Sequence, residues 1–129
     1  MLDAPGYGLS RAVLDVAMRV HTEIGPGLFE RIYAVSLVDE LVAAGHAVQS
    51  EVAITYRRNG RVMPAAYRLD LLVDDQLIVE VKAIDKLTAL HERQVQTYLR
   101  ITGRPMGLLL NFNVLHLRDG FRRVLPIHR

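Results

Sequence analysis

The sequence predicts a single α/β domain over residues 1–129, a mixed β-sheet flanked by helices with two helices leading at the N-terminus. Three observations carry this expectation. Apolar residues recur at helical spacing up to Gly45, and the period changes to two from Val48. A strand, a helix and a continuous apolar run then follow one another between Leu77 and Phe112. A chain of 129 residues suits one core, and a composition that is 50% hydrophobic and 23% charged excludes a disordered polymer.

Leu9, Val13, Val16, Ala17, Val20 and Ile24 form one apolar stripe, and Ser10 reads as its N-cap, giving a helix of about 14 residues. Gly25-Pro26-Gly27 breaks it. Pro26 suits the first turn of a second helix, with Leu28, Ile32, Val35, Val38 and Leu41 as its stripe and Gly45 as its C-terminal stop. Val48, Val52, Ile54 and Tyr56 alternate with polar neighbours as a half-buried strand, and Asn59-Gly60 is a hairpin turn. Pro64 delays the regular part of the returning strand to about Ala66–Val73. Leu77 to Ala83 is a third strand. Thr88 caps a helix that runs to Thr102 and stops at Gly103. Residues 107 to 112, GLLLNF, read as a strand covered on both faces and parallel to the third. Asp119-Gly120 is expected to close a last hairpin between Leu115–Leu117 and Phe121–Leu125.

The chain contains no cysteine, which excludes disulfides, thiolate metal sites and a cysteine nucleophile. The segment MLDAPGYGLS lacks the basic start and apolar core of a signal peptide, and no apolar run reaches the length of a membrane span, so the expectation is a cytoplasmic protein without membrane partners. Its 16 basic residues are 14 arginines and two lysines, Lys82 and Lys86, and the net charge of +2 leaves the partner open. P-loop, Rossmann, zincin and nucleophile-elbow signatures are absent.

Charge intrudes where the sheet should be apolar. Glu80 and Lys82 share one face of the strand Leu77-Ile78-Val79-Glu80-Val81-Lys82-Ala83, and Asp70 interrupts the strand before it. If Asp74, Asp75 and Gln76 form a three-residue loop, Val73 pairs with Leu77, Asp70 lies opposite Glu80, and Arg68 lies opposite Lys82; a two-residue loop puts Asp70 and Glu80 on opposite faces unless a bulge intervenes. Two carboxylates beside a lysine suit metal-assisted phosphodiester hydrolysis: carboxylate oxygens hold Mg²⁺, and the ammonium meets the charge of the transition state. The same residues also suit plain ion pairs, Glu80 with Lys82 or Asp70 with Arg68.

The order Asp70, then Glu80-x-Lys82, then a helix and a parallel strand resembles the PD-(D/E)XK nuclease superfamily. Gly27-Leu28-Phe29-Glu30-Arg31-Ile32-Tyr33 is similar to the motif of its GxxExxY family, with likeness from about Val13 to Val124 that includes His91-Glu92-Arg93-Gln94 and Leu109-Leu110-Asn111-Phe112. Leu69 stands where the superfamily has proline. The resemblance implies a restriction-endonuclease-like core and a nuclease acting on nucleic acid, DNA ahead of RNA. It implies Mg²⁺ as cofactor, with Mn²⁺ as a substitute. Asp70, Glu80 and the Val81 carbonyl would hold the metal, with Glu30 as an added carboxylate, Lys82 as the catalytic cation and Gln94 as an assisting residue. Glu30 also suits the first-turn dipole of its helix, and Tyr33 suits a core aromatic with a polar tip. His91 and Tyr98 share the helical stripe of Gln94, and each has an ordinary structural role open to it, as a group near the Thr88 cap and as core. Arg118, Arg122, Arg123 and Arg129 suit phosphate contacts or a solvated edge.

Two further readings fit the same residues. One is a non-catalytic nuclease-fold module that binds nucleic acid or a protein partner, which predicts binding without turnover. The other is a structural or regulatory homo-oligomer, such as a homodimer pairing at the sheet edge after Gly120, which requires no metal at Asp70 and Glu80.

Overall fold

The computed structural model describes residues 4–127. Along the chain come α1 (Tyr7–Ile24), α2 (Glu30–Ala43), β1 (Val48–Arg58), β2 (Arg61–Val73), β3 (Leu77–Lys82), α3 (Ala89–Thr102), β4 (Met106–Asn111) and β5 (Phe121–Val124). The strands form one sheet in the order β1-β2-β3-β4-β5, antiparallel throughout except for β3 and β4, which run parallel on either side of the α3 crossover. One core lies between the sheet and α1 with α2, around Val13, Leu37, Leu71, Val79 and Leu108. The other lies between the sheet and α3, around Ile78, Val95, Leu99 and Leu109. β3 and β4 are therefore covered on both faces, which is why their sequences are nearly unbroken apolar runs. Among the described residues no helix is long and apolar enough to cross a membrane.

The helix starts depart from the sequence signal. α1 begins at Tyr7, and Ser10 is buried within it: its hydroxyl donates to the Tyr7 carbonyl (2.7 Å) and accepts from Arg123 Nε (2.9 Å), so it is no cap. α2 begins at Glu30, beyond the Gly25-Pro26-Gly27 turn, and its buried positions are Tyr33, Leu37 and Leu41. Of the expected stripe only Leu41 is fully buried, whereas Ile32 and Val35 are 43% and 50% exposed. Tyr33 sets this rotation. Its ring stacks on Phe112 at 4.6 Å, and its hydroxyl donates to the Gly25 carbonyl (2.6 Å) and accepts from the Leu28 N–H (3.1 Å). Gly45, at φ 95°, ends α2 as expected, with its N–H on the Val42 carbonyl and that of His46 on Leu41.

Asn59 and Gly60 both adopt positive φ in the tight turn that pairs Arg58 with Arg61. β2 starts at Arg61, earlier than expected, but the irregularity foreseen at Pro64 is present: Thr55 of β1 stands against Pro64, Ala65 and Ala66, and Ala65 lies at φ 51°. The last hairpin is different. Leu117–Asp119 is a 3-10 turn, Leu115 is exposed, and β5 pairs with β4, not with Leu115–Leu117. The free side of buried β4 needs backbone partners, and β5 supplies them. Arg122 pairs with Glu92 (3.1 Å), Arg123 packs over Tyr7 and Phe121, and Arg118 is exposed; Arg129 lies outside the described residues.

Gly107 lets α3 approach β4, because a Cβ there would overlap the γ-methyl of buried Val95. Gly107→Ala is expected to destabilise the protein by about 1–3 kcal/mol through overpacking. Urea denaturation checks this, and an unchanged midpoint would show that the contact does not limit packing.

Candidate functional site

Register brings the two core carboxylates together. Asp74, Asp75 and Gln76 form the three-residue loop, with Asp74 and Asp75 at φ 51° and 55°, and Val73 pairs with Leu77. Asp74 secures the loop. Its carboxylate accepts the Ala47 N–H and lies 2.8 Å from His46 Nδ1, a hydrogen bond that holds the Asp74 pKa below its ordinary value. Counting back from Val73 and forward from Leu77, the ladder runs through Leu72↔Ile78 and Leu71↔Val79, and the next opposed residues are Asp70 and Glu80.

At that step the ladder stops, and the two side chains bridge the strands. The Asp70 N–H donates to Glu80 Oε1 (3.1 Å), and the Val81 N–H donates to Asp70 Oδ2 (2.8 Å). The pleat also breaks here: Leu71 packs in the α1–α2 core, while Leu69, two residues away, packs in the α3 core. β1 makes the matching change between Val48 and Val52, where Glu51 adopts φ 52°. Because the ladder has ended, Arg68 does not pair with Lys82; it lies 3.9 Å from Glu51 instead.

Asp70 opens into a cleft of about 480 Å³ between α2 and the sheet, whose walls include Glu30, Val35, Asp39, Glu51 and Val81. Glu80 is only 3% exposed. Burial first, and then the charge of Asp70, raise its pKa to about 8, while the Asp70 N–H and the Lys82 charge act in the opposite direction. Tyr98 belongs to the same environment: burial, then the charges of Glu80 and Asp70, push its phenol up to about 12.

Glu30, in the first turn of α2, reaches the far end of β3, where Oε2 accepts the Ala83 N–H (3.1 Å), and it lines the cleft with Asp70 and Val81. Gly27, at φ 97°, together with Glu30 and Tyr33, thus braces the start of α2 against its own entry turn and against β3. Lys82 is half-buried at the end of β3. Gln94 is exposed one turn before Tyr98 and neither lines the cleft nor hydrogen-bonds to the carboxylates. His91 is engaged in capping α3, its Nδ1 accepting the Thr88 N–H (2.9 Å).

Sequence reasoning missed two contributors. Asn111 is buried, and its amide accepts from the Ile84 N–H (3.1 Å) and donates to the Ile84 carbonyl (2.9 Å), fixing the chain just after Lys82. Its signal is a polar side chain inside GLLLNF. Glu51 faces the cleft across from Asp70, yet in sequence it reads as the solvent side of an alternating strand.

Two carboxylates with hard oxygens, one of them buried without a full counter-charge, suit a divalent cation. Mg²⁺ is ordinarily held by one or two carboxylates, with water and substrate phosphate completing its shell. Among the described residues no group of three or more His, Cys, Asp or Glu side chains is placed to hold a metal ion.

A sequence model of the PD-(D/E)XK nuclease superfamily matches residues 7–124, which takes in all three helices and all five strands named above. No curated protein and no solved structure matches the chain. With the α/β core and the Asp70, Glu80-x-Lys82 arrangement on adjacent strands, the match over nearly the whole length shows that this chain belongs to the PD-(D/E)XK nuclease superfamily.

Proposed function

We propose that the protein is a metal-dependent nuclease that hydrolyses phosphodiester bonds in DNA. The observation that carries this reading is the meeting of Asp70 and Glu80 where the β2–β3 ladder ends, two residues before Lys82. Asp70 and Glu80 would hold Mg²⁺, or Mn²⁺ in its place, with the Val81 carbonyl as a further oxygen donor. Bound there, the ion would supply Lewis-acid polarisation of the phosphate and lower the pKa of water. Lys82 places a compact ammonium against the negative charge that builds on the phosphate. Glu30 keeps the end of β3 in place and adds a carboxylate to the cleft wall. Gln94, exposed on α3 one turn before Tyr98, would assist by orienting water or substrate. The Gly27-x-x-Glu30-x-x-Tyr33 brace supports placing the chain in the GxxExxY group.

Plasmid or oligonucleotide cleavage with Mg²⁺ or Mn²⁺ tests the assignment. Wild type is expected to cut, and Lys82→Ala to fall by about 100-fold or more, in line with loss of an electrostatic stabiliser. No cutting with either ion, or full cutting by Lys82→Ala, overturns it.

Calorimetric titration with Mn²⁺ addresses the metal before any substrate is chosen. Asp70→Ala is expected to weaken binding by about 10-fold or more, since one of two carboxylate ligands is lost. Equal affinity for the variant would remove Asp70 from the ligand set.

The carboxylate pair also sets a pH dependence. A carboxyl whose pKa rises on folding holds its proton more tightly in the folded state, so its contribution is most favourable below its ordinary value and declines as pH rises to the folded value. For Glu80 the decline spans about pH 4.5 to about 8 in metal-free protein. Melting temperatures in EDTA should fall across this window more steeply for wild type than for Glu80→Gln, and saturating Mg²⁺ should reduce the difference. Parallel profiles for the two proteins would show that Glu80 ionises freely.

A further inference from the structure

β1 and β2 stay paired far beyond the point where β3 leaves them. β3 pairs only with Leu71–Val73, yet the β1–β2 ladder continues through Tyr56↔Met63 and Arg57↔Val62 to Arg58↔Arg61. Residues 61–69 pair with β1 alone, in a two-stranded ribbon that reaches roughly 25 Å past the last β2–β3 pair, its inner end packed on α3 through Ile54 and Leu69. β2 and β3 are antiparallel, so the ribbon extends in the direction of the C-terminal end of β3, where Glu80 and Lys82 lie. The carboxylate pair sits at its base.

The tip carries Arg57, Arg58 and Arg61, all exposed, and among the described residues no carboxylate lies within ion-pair distance of any of them. Arg58 and Arg61 are directly opposed across the strands, an arrangement that disfavours the hairpin. A polyanion seated at the tip would offset that repulsion. Arg58 shares its strand face with Ile54 and Tyr56 by alternation, and that face leads inward over aromatic contacts. Tyr56 meets Tyr67 edge-on at 6.2 Å, and Tyr67 meets Tyr98 at 5.6 Å, beside the carboxylates. The cleft beneath α2, by contrast, carries four carboxylates, Glu30, Asp39, Glu51 and Asp70, against one basic residue, Arg31.

We infer that the β1–β2 ribbon is a DNA-gripping arm, in which Arg57, Arg58 and Arg61 hold the backbone of a duplex whose scissile phosphate lies at the ribbon's base. This deepens the proposed nuclease reading and rests on it for the choice of DNA as ligand. A major groove about 12 Å wide admits a two-stranded ribbon, whereas the deep, narrow major groove of A-form RNA does not. The arm supplies the means of substrate capture for which the sequence offers no recognised module.

The test is binding of a labelled DNA duplex in EDTA, with Lys82→Ala as the parent so that no turnover intervenes. Arg57→Ala/Arg58→Ala/Arg61→Ala is expected to weaken binding at least 10-fold and to reduce the slope of log K against log salt by about 2 to 3, three contacts at about 0.9 each. Arg19→Ala/Arg93→Ala/Arg100→Ala, an equal loss of charge on exposed positions elsewhere, should leave the slope unchanged. The double variant Arg58→Ala/Arg61→Ala, freed of the like-charge pair, should melt no lower than its parent while still losing affinity. A merely structural pair would not produce that combination. The inference is overturned if the parent does not bind the duplex, if both triple variants lose equally, or if an RNA duplex of the same sequence binds as well. Because cleavage is not read, a failed nuclease assay leaves this result standing, and an unchanged slope with active cleavage removes the arm alone.

Discussion

Two hydrogen bonds between side chains and backbone, Asp70 N–H to Glu80 and Val81 N–H to Asp70, take over where the β2–β3 ladder ends, and the layout of the molecule follows from that exchange. Had the ladder continued, β2 would have run flush with β3, and both carboxylates would have faced ordinary cross-strand neighbours. Instead the strands part, the pleat reverses at Asp70, and β2 continues with β1 as a two-stranded ribbon whose base packs on α3. The bridging bonds satisfy backbone donors that would otherwise lack partners at the fork. They also hold the two carboxylates together at a buried point of the sheet, and burial first, then the charge of Asp70, raises the Glu80 pKa. One local exchange thus accounts for the pair, the cleft beside it and the arm beyond it.

Much of the surrounding structure serves to hold this fork. Asp74 closes the loop that sets the register, Glu30 ties the start of α2 to the end of β3, and Asn111 clamps Ile84 just past Lys82. Tyr33 anchors the turn before α2 and, through Phe112, the strand next to β3. The motif Gly27-x-x-Glu30-x-x-Tyr33 is therefore intelligible as mechanics: a backbone turn that favours glycine, a carboxylate that reaches β3 and an aromatic that fixes the helix rotation. None of these roles requires that the three side chains contact a substrate.

The sequence was informative wherever a local rule acted alone. Asn59-Gly60, the Thr88 and Gly103 boundaries, and the buried run at β4 were legible because turn chemistry, capping and two-sided burial leave marks in adjacent residues. The meeting of Asp70 and Glu80 was legible as a condition, since register is arithmetic once the loop length is known, and the structure supplies the three-residue loop at Asp74. Legibility failed where a choice depended on a distant partner. Ser10 has the chemistry of a cap but is enclosed in α1 by Arg123, from the far end of the chain. The stripe of α2 was misread because apolar residues surround that helix, and the stack of Tyr33 on Phe112, not periodicity, selects the buried side. β5 chose β4 over its sequence neighbour because a buried strand edge has more to gain from pairing than an exposed turn.

By itself, then, the sequence determined most element types and the identity of the carboxylates and lysine on β2 and β3, and it tied the meeting of Asp70 and Glu80 to an odd loop or a bulge, because these depend on spacing and on the chemistry of neighbouring residues. Only the tertiary structure decided that the ladder ends at Asp70, that Glu51 and Asp70 turn into one cleft, that Asn111 and Glu30 secure the end of β3, and that β1 and β2 leave the sheet together with three arginines at their tip. Those outcomes depend on which segments compete for the same backbone donors and the same buried volume, and residues far apart in the chain settle that competition.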